Sequence, residues 1–221
     1  FKWDRYREWT GEFDLSSRLL KIKEMRKYTG ETSYEVIEKD TSLHVNLFLT
    51  IDPAASATEK SDPTAMVLCA VDRDNRMFVV DYVNARLQGI EFYDELFRVV
   101  QKYAPKRVGI ETVAYQKSLI FNIKDEMRRR NQFFSMDELR SDTHKERRIR
   151  TLQPRFEAGQ LYVKQGMDDL KYQMINFPRT VHDDLIDALA YQLQVVYPKR
   201  KDRDPDDKKA TYNFLSPITR Y

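Results

Sequence analysis

The sequence predicts an α/β fold in which a mixed central β-sheet is flanked by helices. Three apolar, β-rich runs come first, and segments with helical and strand patterns then alternate along the chain. Such alternation is typical of sheets with some parallel pairing, because parallel strands need a long crossover connection. The 221 residues, of which 41% are hydrophobic and 33% charged, suffice for a sizeable core under a heavily charged surface.

Each element follows from a local pattern. A continuous apolar run predicts a buried strand, and two β-rich runs around Arg73-Asp74-Asn75 predict a hairpin. Apolar residues at helical spacing mark the helices. Pro105 ends the first helix, and Pro154 is expected to break or kink the basic helix around it. The expected strands are 44–51, 65–72, 76–84, 107–111, 132–136 and 161–163, and the expected helices are 88–103, 116–130, 144–158, 168–176 and 182–197.

The chain divides into three parts by composition. Residues 1–43 are polar, aromatic and mixed in charge, and we expect a linker or a segment that flanks a missing neighbour domain. Residues 44–197 contain the patterned elements, and residues 198–221 form a charged tail that we expect to be flexible. Because the chain starts at Phe1 in mid-pattern, we expect it to be a fragment of a longer protein.

The composition also argues against several functional classes. Cys69 is the only cysteine, so neither a disulfide framework nor a cysteine-based zinc site is possible, and a reducing, intracellular setting is expected. No apolar run is long enough to span a membrane, and no signal-peptide pattern is present. The chain contains no Gly-x-x-x-x-Gly-Lys-Ser/Thr phosphate loop, which argues against ATP hydrolysis by this chain alone.

Three carboxylates lie within one turn at the start of the last predicted helix. Asp183, Asp184 and Asp187 fall within an arc of about 100°, and apolar residues occupy the opposite arc. Like charges at neighbouring positions repel, so something must compensate them, and a divalent metal is the usual candidate. A helix cap or the helix dipole explains one such acid but explains three poorly.

Two further acids end strand-like apolar runs. Asp52 follows residues 45–51 and Glu111 follows residues 107–110. Taken alone, either acid is as well explained by a turn or by an ordinary surface position. In open α/β sheets, however, functional groups lie at the carboxyl ends of strands, so we expect these acids to converge with those of the last helix. Carboxylates without cysteines favour Mg²⁺ or Mn²⁺, and two such ions about 3.5–4 Å apart can hydrolyse a phosphodiester.

Basic residues are clustered, although the net charge is only +3. Ordinary surface ion pairs explain any one cluster, whereas three clusters together favour a polyanionic partner. The clusters are Arg128-Arg129-Arg130, then Lys145 with Arg147, Arg148 and Arg150, and finally Lys199-Arg200-Lys201 with Arg203.

Four motifs follow one another along residues 44–197. They are Ile51-Asp52-Pro53 with Ser61-Asp62-Pro63-Thr64-Ala65, then Gly109-Ile110-Glu111-Thr112, then Lys145-Glu146-Arg147-Arg148-Ile149 with Arg155-Phe156-Glu157-Ala158-Gly159, and finally His182-Asp183-Asp184-Leu185-Ile186-Asp187-Ala188-Leu189-Ala190. In these motifs the chain resembles the C-terminal nuclease domain of the large terminase subunit of tailed bacteriophages. That family has an RNase H-like (RuvC-like) fold, which the resemblance therefore implies.

The resemblance implies roles for the acids. Asp52, Glu111 and the Asp183/Asp184 pair would ligate two metal ions, Mg²⁺ or Mn²⁺. Asp187 matches a further acid that related resolvase nucleases carry one turn along the same helix. Asp184 and Asp187 are the preferred pair on that helix, with Asp183 acting indirectly.

Auxiliary and DNA-binding roles are implied in the same way. Asp62 and His182 would be auxiliary. Lys145 would contact the scissile phosphate or orient an acid, and a plain surface lysine is the alternative. The residues expected to hold the DNA backbone through charge are Arg128, Arg129, Arg130, Lys145, Arg147, Arg148, Arg150 and Arg155.

The function implied by the resemblance is metal-dependent endonucleolytic cutting of double-stranded viral DNA, with low sequence specificity, during genome packaging in the host cytoplasm. The full-length protein would also carry an ATPase motor and would bind the small terminase subunit and the portal, while the isolated domain would be monomeric. Two alternatives remain: a RuvC-like Holliday-junction resolvase, and a non-catalytic module that docks on DNA or the portal.

Overall fold

The computed structural model describes residues 1–54, 63–112, 117–141, 144–180 and 182–199. Its strands are β1 (Arg7–Asp14), β2 (Leu19–Tyr28), β3 (Tyr34–His44), β4 (Asn46–Asp52), β5 (Thr64–Val71), β6 (Met77–Ala85), β7 (Arg107–Glu111), β8 (Met136–Leu139) and β9 (Leu161–Lys164). Its helices are α1 (Ile90–Tyr103), α2 (Lys117–Arg130), α3 (Lys145–Arg150), α4 (Gln153–Glu157), α5 (Asp168–Asn176) and α6 (Asp184–Val195), with a 3-10 turn at Trp3–Arg5.

The strands form one mixed sheet in the order β3-β2-β1-β9-β6-β5-β4-β7-β8. The expected hairpin is confirmed, since β5 pairs antiparallel with β6. β4 pairs parallel with β7 and antiparallel with β5. Its sequence is apolar almost throughout because both faces are covered: α1 and α2 pack on one face, and α3 to α6 pack on the other.

The helix α6 lies against the middle of the sheet and is held there by polar contacts. The Thr50 hydroxyl donates to the carbonyl of Ala188 at 2.6 Å. The Gln192 amide donates to the carbonyls of Phe48 and Val67 at 3.2 and 2.7 Å, and to the Thr50 hydroxyl at 2.9 Å. These contacts join α6 to β4 and β5, the strands that lead to the edge where Asp52 lies.

The expectation of one polar face on α6 is wrong. Asp184 is 5% exposed, Asp187 is 1% exposed and Tyr191 is fully buried, like the leucines on the opposite side. Close approach of α6 to β7 requires Gly109, since a Cβ there would lie 2.7 Å from Leu139 and 3.0 Å from Val195. Most of the helix is enclosed because α3 and α5 also pack against it, and Gln194 near its end remains exposed.

Residues 1–43, expected to be a linker or flanking segment, instead form β1 to β3 and extend the sheet. β1 pairs parallel with β9, and Trp9 is fully buried with its indole donating to the carbonyl of Val79 at 2.9 Å. The mixed composition misled because one face of this meander is solvated while its aromatic residues supply the core. Whether a further domain precedes this segment stays a prediction.

The remaining expectations differ in detail. The basic helix is divided at Thr151 and Leu152 into α3 and α4, with Pro154 in the first turn of α4, which confirms the expected break. β8 begins at Met136, so the strand expected at 132–136 lies later in the chain. Of the tail at 198–221, only residues 198 and 199 are described. No helix in the described part of the chain is long and apolar enough to cross a bilayer.

Candidate functional site

The predicted acids from two strands meet at one edge of the sheet. Asp52 ends β4 and Glu111 ends β7, and the parallel register of these strands, with Ile51 opposite Ile110, brings the two carboxyl groups side by side. The helix α6 packs beside β4 and β7, and its Asp187 acts electrostatically on both Asp52 and Glu111. The edge therefore collects acids from three elements, as the strand-end rule predicts.

Asp52 and Glu111 interact through a hydrogen bond between their carboxyl groups. Burial, a hydrogen bond with Glu111 and the charges of Glu111 and Asp187 all raise the pKa of Asp52 far above its usual range, and Lys145 opposes them only weakly. Burial alone would raise the pKa of Glu111, but interactions with Asp52, Ser141 and Tyr191 hold it below the ordinary value. In the absence of a cation, these opposite shifts favour one proton shared between the two carboxyl groups.

Lys145 compensates the acids at the start of α6. Its ammonium lies 2.6 Å from Asp183 Oδ1 and 2.8 Å from Asp184 Oδ1. Burial would lower the pKa of Lys145, but these two aspartates raise it overall. Lys145 therefore contacts two acids, a placement that suits the expected role of orienting an acid, and that role stays a prediction.

Arg148 compensates the third acid of α6. Its guanidinium makes a two-pronged contact with Asp187, with Nε 2.7 Å from Oδ1 and a terminal nitrogen 2.6 Å from Oδ2. The same group lies over the Tyr191 ring, 4.3 Å from the centroid. Arg148 is 7% exposed, so its placement differs from the DNA contact expected for it. The spacing of α3 explains this, because positions 145, 148 and 149 face α6 while 146, 147 and 150 face outward.

The donor set fits a hard divalent cation, but as they stand the acids are engaged with one another or with bases. In the described ranges, no three His, Cys, Asp or Glu side chains are grouped to hold an ion. Asp52 and Glu111 nevertheless bring two carboxyl groups together in a half-buried position, and a divalent ion would relieve their repulsion. The buried Tyr191 hydroxyl influences Glu111 yet has no partner with hydrogen-bond geometry among the described residues. For Asp184 to bind an ion at this site, its carboxylate would have to release Lys145.

Other predicted DNA-binding residues are scattered. Arg147 is exposed on α3. Arg150 is exposed and pairs with Glu146 at 2.7 Å. Arg155 is half-buried and donates to the backbone carbonyl of Asn75, so it supports the β5–β6 turn. Only Arg147 and Arg150 therefore remain on the outer side of this basic segment.

The arginines at the end of α2 lie away from the acids. The helix starts just after the site edge and runs about 20 Å along the opposite face of the sheet, given its 14 residues. The three arginines at its end pair with acids of α1 and α2, which differs from the expected role. These pairs join Arg128 to Asp125, Arg129 to Glu126, and Arg130 to Glu126 and Asp94.

Two auxiliary residues complete the placement. Asp62 lies outside the described residues. His182 is exposed immediately before Asp183.

Thr50 and Gln192, which position α6, were missed because a lone polar residue in an apolar run carries no signal of its partner. The i,i+3 spacing of Lys145 and Arg148, repeated by Asp184 and Asp187, was the one available clue to their pairing.

The fold and site together define the RNase H-like class of nuclease folds. In this class, acids end two adjacent parallel strands of a mixed sheet, and a third acid lies on a helix packed across them. The family model of the terminase RNaseH-like domain matches residues 49–195, and the chain belongs to that family. No curated protein sequence gives a significant match.

Solved structures agree with the fold. The large terminase nuclease of the thermophilic phage G20c, solved with bound zinc, is 14% identical and superposes with a TM-score of 0.51 over 86% of this chain and 95% of its own. The large terminase of another thermophilic bacteriophage, solved in complex with ADP, is 11% identical with a TM-score of 0.50, over 68% of this chain and 39% of its own. At these identities the similarity shows the fold.

Proposed function

We propose that this chain is a metal-dependent endonuclease that cuts double-stranded viral DNA during genome packaging, with low sequence specificity and within the host cytoplasm. The observation that carries the proposal is the pairing of Asp52 with Glu111, with Asp187 acting on both carboxyl groups. Crowding two half-buried carboxyl groups raises the pKa of Asp52 and does not favour stability, whereas binding of Mg²⁺ or Mn²⁺ accounts for the pair.

We assign the metal-holding role to Asp52, Glu111 and Asp184, with Asp183 supporting Asp184. We propose that two divalent ions bind there. They would supply an activated water and neutralise charge on the cleaved phosphate. Asp187, which the resemblance also implies as a ligand, is paired with Arg148, so we assign it to positioning that arginine. Release of Lys145 from the two aspartates leaves its ammonium beside the site, where it attracts the phosphate backbone.

The relatives support this proposal at the level of chemistry. The G20c nuclease holds zinc on the same fold, so this architecture is compatible with a divalent cation. The ADP-bound terminase is longer than this chain, and its nucleotide supports our proposal that an ATPase motor accompanies this domain in a full-length protein. The small terminase subunit and the portal are proposed as further partners.

Plasmid cleavage tests the function. The native chain and Asp52→Asn are incubated with supercoiled DNA in Mg²⁺, Mn²⁺ or EDTA. Asp74→Asn is the matched control, because Asp74 lies in the β5–β6 turn at the opposite end of the strands and its side chain is 75% exposed. We expect metal-dependent linearisation by the native and control chains only. Cutting in EDTA, or undiminished cutting by Asp52→Asn, would overturn the proposal.

A further inference from the structure

A second concave site opens on the same edge of the sheet as the acids. It is a cavity of about 480 Å³, within the size range of small-ligand pockets. The end of β6 forms one wall, α5 forms another, and Thr180 and His182 contribute the third. The lining residues are Pro63, Asn84, Ala85, Arg86, Asp169, Tyr172, Gln173, Thr180 and His182.

Strand register fixes the distance between this cavity and the acids. Asp52 lies opposite Ala65 on β5, and the adjacent Thr64 lies opposite Ala85 on β6. The cavity wall is therefore two strands away from Asp52, or about 10 Å at the usual spacing of about 4.8 Å between strands. That span equals about three nucleotides of a B-form strand, which rises about 3.4 Å per nucleotide. One DNA strand can reach both places.

The cavity contains a donor that the described part of the fold leaves unused. Gln173 is only 4% exposed. Its Oε1 accepts a hydrogen bond from the backbone nitrogen of Ile186 at 3.1 Å, which fixes the orientation of the amide. No described residue accepts a hydrogen bond from its Nε2, and the side chain lines the cavity. This amide opens onto the cavity, so it can donate a hydrogen bond to a ligand with acceptor atoms.

The rim supplies an aromatic surface and positive charge. The Tyr172 ring is 63% exposed although it is large and apolar. Arg86 and His182 are both exposed at the rim. Asp169, which accepts a hydrogen bond from Tyr82 at 3.3 Å, repels phosphate but accepts from amino groups. A planar ring, a basic rim and hydrogen-bonding groups of both kinds match a base with its phosphate.

We propose that this cavity binds one unpaired nucleotide of the DNA strand that the adjacent acids cut. The base stacks on Tyr172 and accepts a hydrogen bond from Gln173 Nε2, and its phosphate lies against Arg86 and His182. The inference rests on the proposed nuclease function for its substrate class. It assigns an additional role, the selection of strand regions where a base has left the duplex.

Fluorescence anisotropy without metal tests the proposal. The probes are a fluorescein-labelled single-stranded oligonucleotide and the same sequence as a blunt duplex, both in EDTA. We expect Tyr172→Ala to weaken single-strand binding about tenfold, the scale of one lost stack, and to leave duplex binding unchanged. Tyr172→Phe keeps the ring and should retain binding. Phe121→Ala is the control, because Phe121 is 65% exposed on a helix of the opposite face.

Cleavage kinetics give the second readout. The substrate is a duplex with a single-nucleotide gap, and the reaction contains Mg²⁺ or Mn²⁺. Because the same stacking contact is lost, Tyr172→Ala should raise KM about tenfold and leave kcat unchanged. Equal affinities of Tyr172→Ala and Phe121→Ala for the single-stranded oligonucleotide would overturn the proposal. A loss of affinity in Tyr172→Ala that is the same for the single strand and the duplex would also overturn it. If the native chain binds the oligonucleotide through Tyr172 but cuts nothing, the nuclease proposal fails and the nucleotide site stands.

Discussion

Removing Arg148 should destabilise the fold more than any substitution on the outer side of α3. Arg148→Ala leaves Asp187, which is 1% exposed, with an uncompensated charge. Breaking a buried ion pair from one side typically costs about 3–5 kcal/mol. In a domain of this size, 1 kcal/mol lowers Tm by about 2–4 °C, so we expect a decrease of about 6–20 °C. Urea and thermal unfolding followed by circular dichroism measure both quantities.

Two controls make this prediction sharp. Arg150→Ala removes an arginine that is 52% exposed and pairs with Glu146 on the same helix, and it should cost less than about 1 kcal/mol. The double variant Arg148→Met, Asp187→Leu should recover most of the stability, because replacing both partners by apolar groups avoids the unpaired charge. If Arg148→Ala is as stable as Arg150→Ala, the ion pair does not hold α3 to α6.

The same ion pair bears on the metal ligands. Because Arg148 occupies both oxygens of Asp187, Asp187→Asn should still bind Mn²⁺ in a calorimetric titration, whereas Asp52→Asn should lose most of the affinity. Equal losses in the two variants would show that Asp187 leaves Arg148 and joins the metal, as the sequence resemblance implies.

Three further predictions concern pH, α6 and the N-terminal strands. In EDTA, the free energy of unfolding should fall as pH rises from about 4 towards the raised pKa of Asp52, because the folded state binds more protons than the unfolded state in this window. In Asp52→Asn, the free energy of unfolding measured in urea should depend less on pH between about pH 5 and about pH 8. The lowered pKa of Glu111 acts only below about pH 4.3, outside that window. Gln192→Leu should cost about 1–3 kcal/mol in urea unfolding, because the carbonyl of Val67 loses its buried donor; a neutral effect would exclude this anchor. Trp9→Ala should cost about 3–5 kcal/mol, and an unchanged Tm would restore the linker interpretation of residues 1–43.

The position of Asp52 and Glu111 could be predicted because strand ends in an α/β sheet obey a general rule, and each acid follows an apolar run that identifies its strand. The partners of Lys145 and Arg148 could not be predicted in the same way. A basic run has the same composition whether its side chains face DNA or a neighbouring helix, and only the packing of α3 on α6 decides between them.

Longer-range features were also beyond local patterns. β1 joins the rest of the sheet through β9, whose paired residues lie more than 150 positions later, so no local pattern predicts where the N-terminal strands attach. The cavity at Tyr172 arises from three segments that meet only in the folded sheet. By contrast, the hairpin of β5 and β6 and the break before α4 depend on neighbouring residues, and both were expected correctly.

β9 has a consequence for the order in which the chain folds during synthesis. β1 to β3 and β4 to β6 are two local antiparallel meanders, and the four residues of β9 pair with β1 on one side and β6 on the other. A nascent chain can form both meanders early, but they stay separate until residue 164 has left the ribosome. Asp184 emerges later still. The site that joins Asp52 and Glu111 to the acids of α6 can therefore assemble only after almost the whole described sheet has been synthesised.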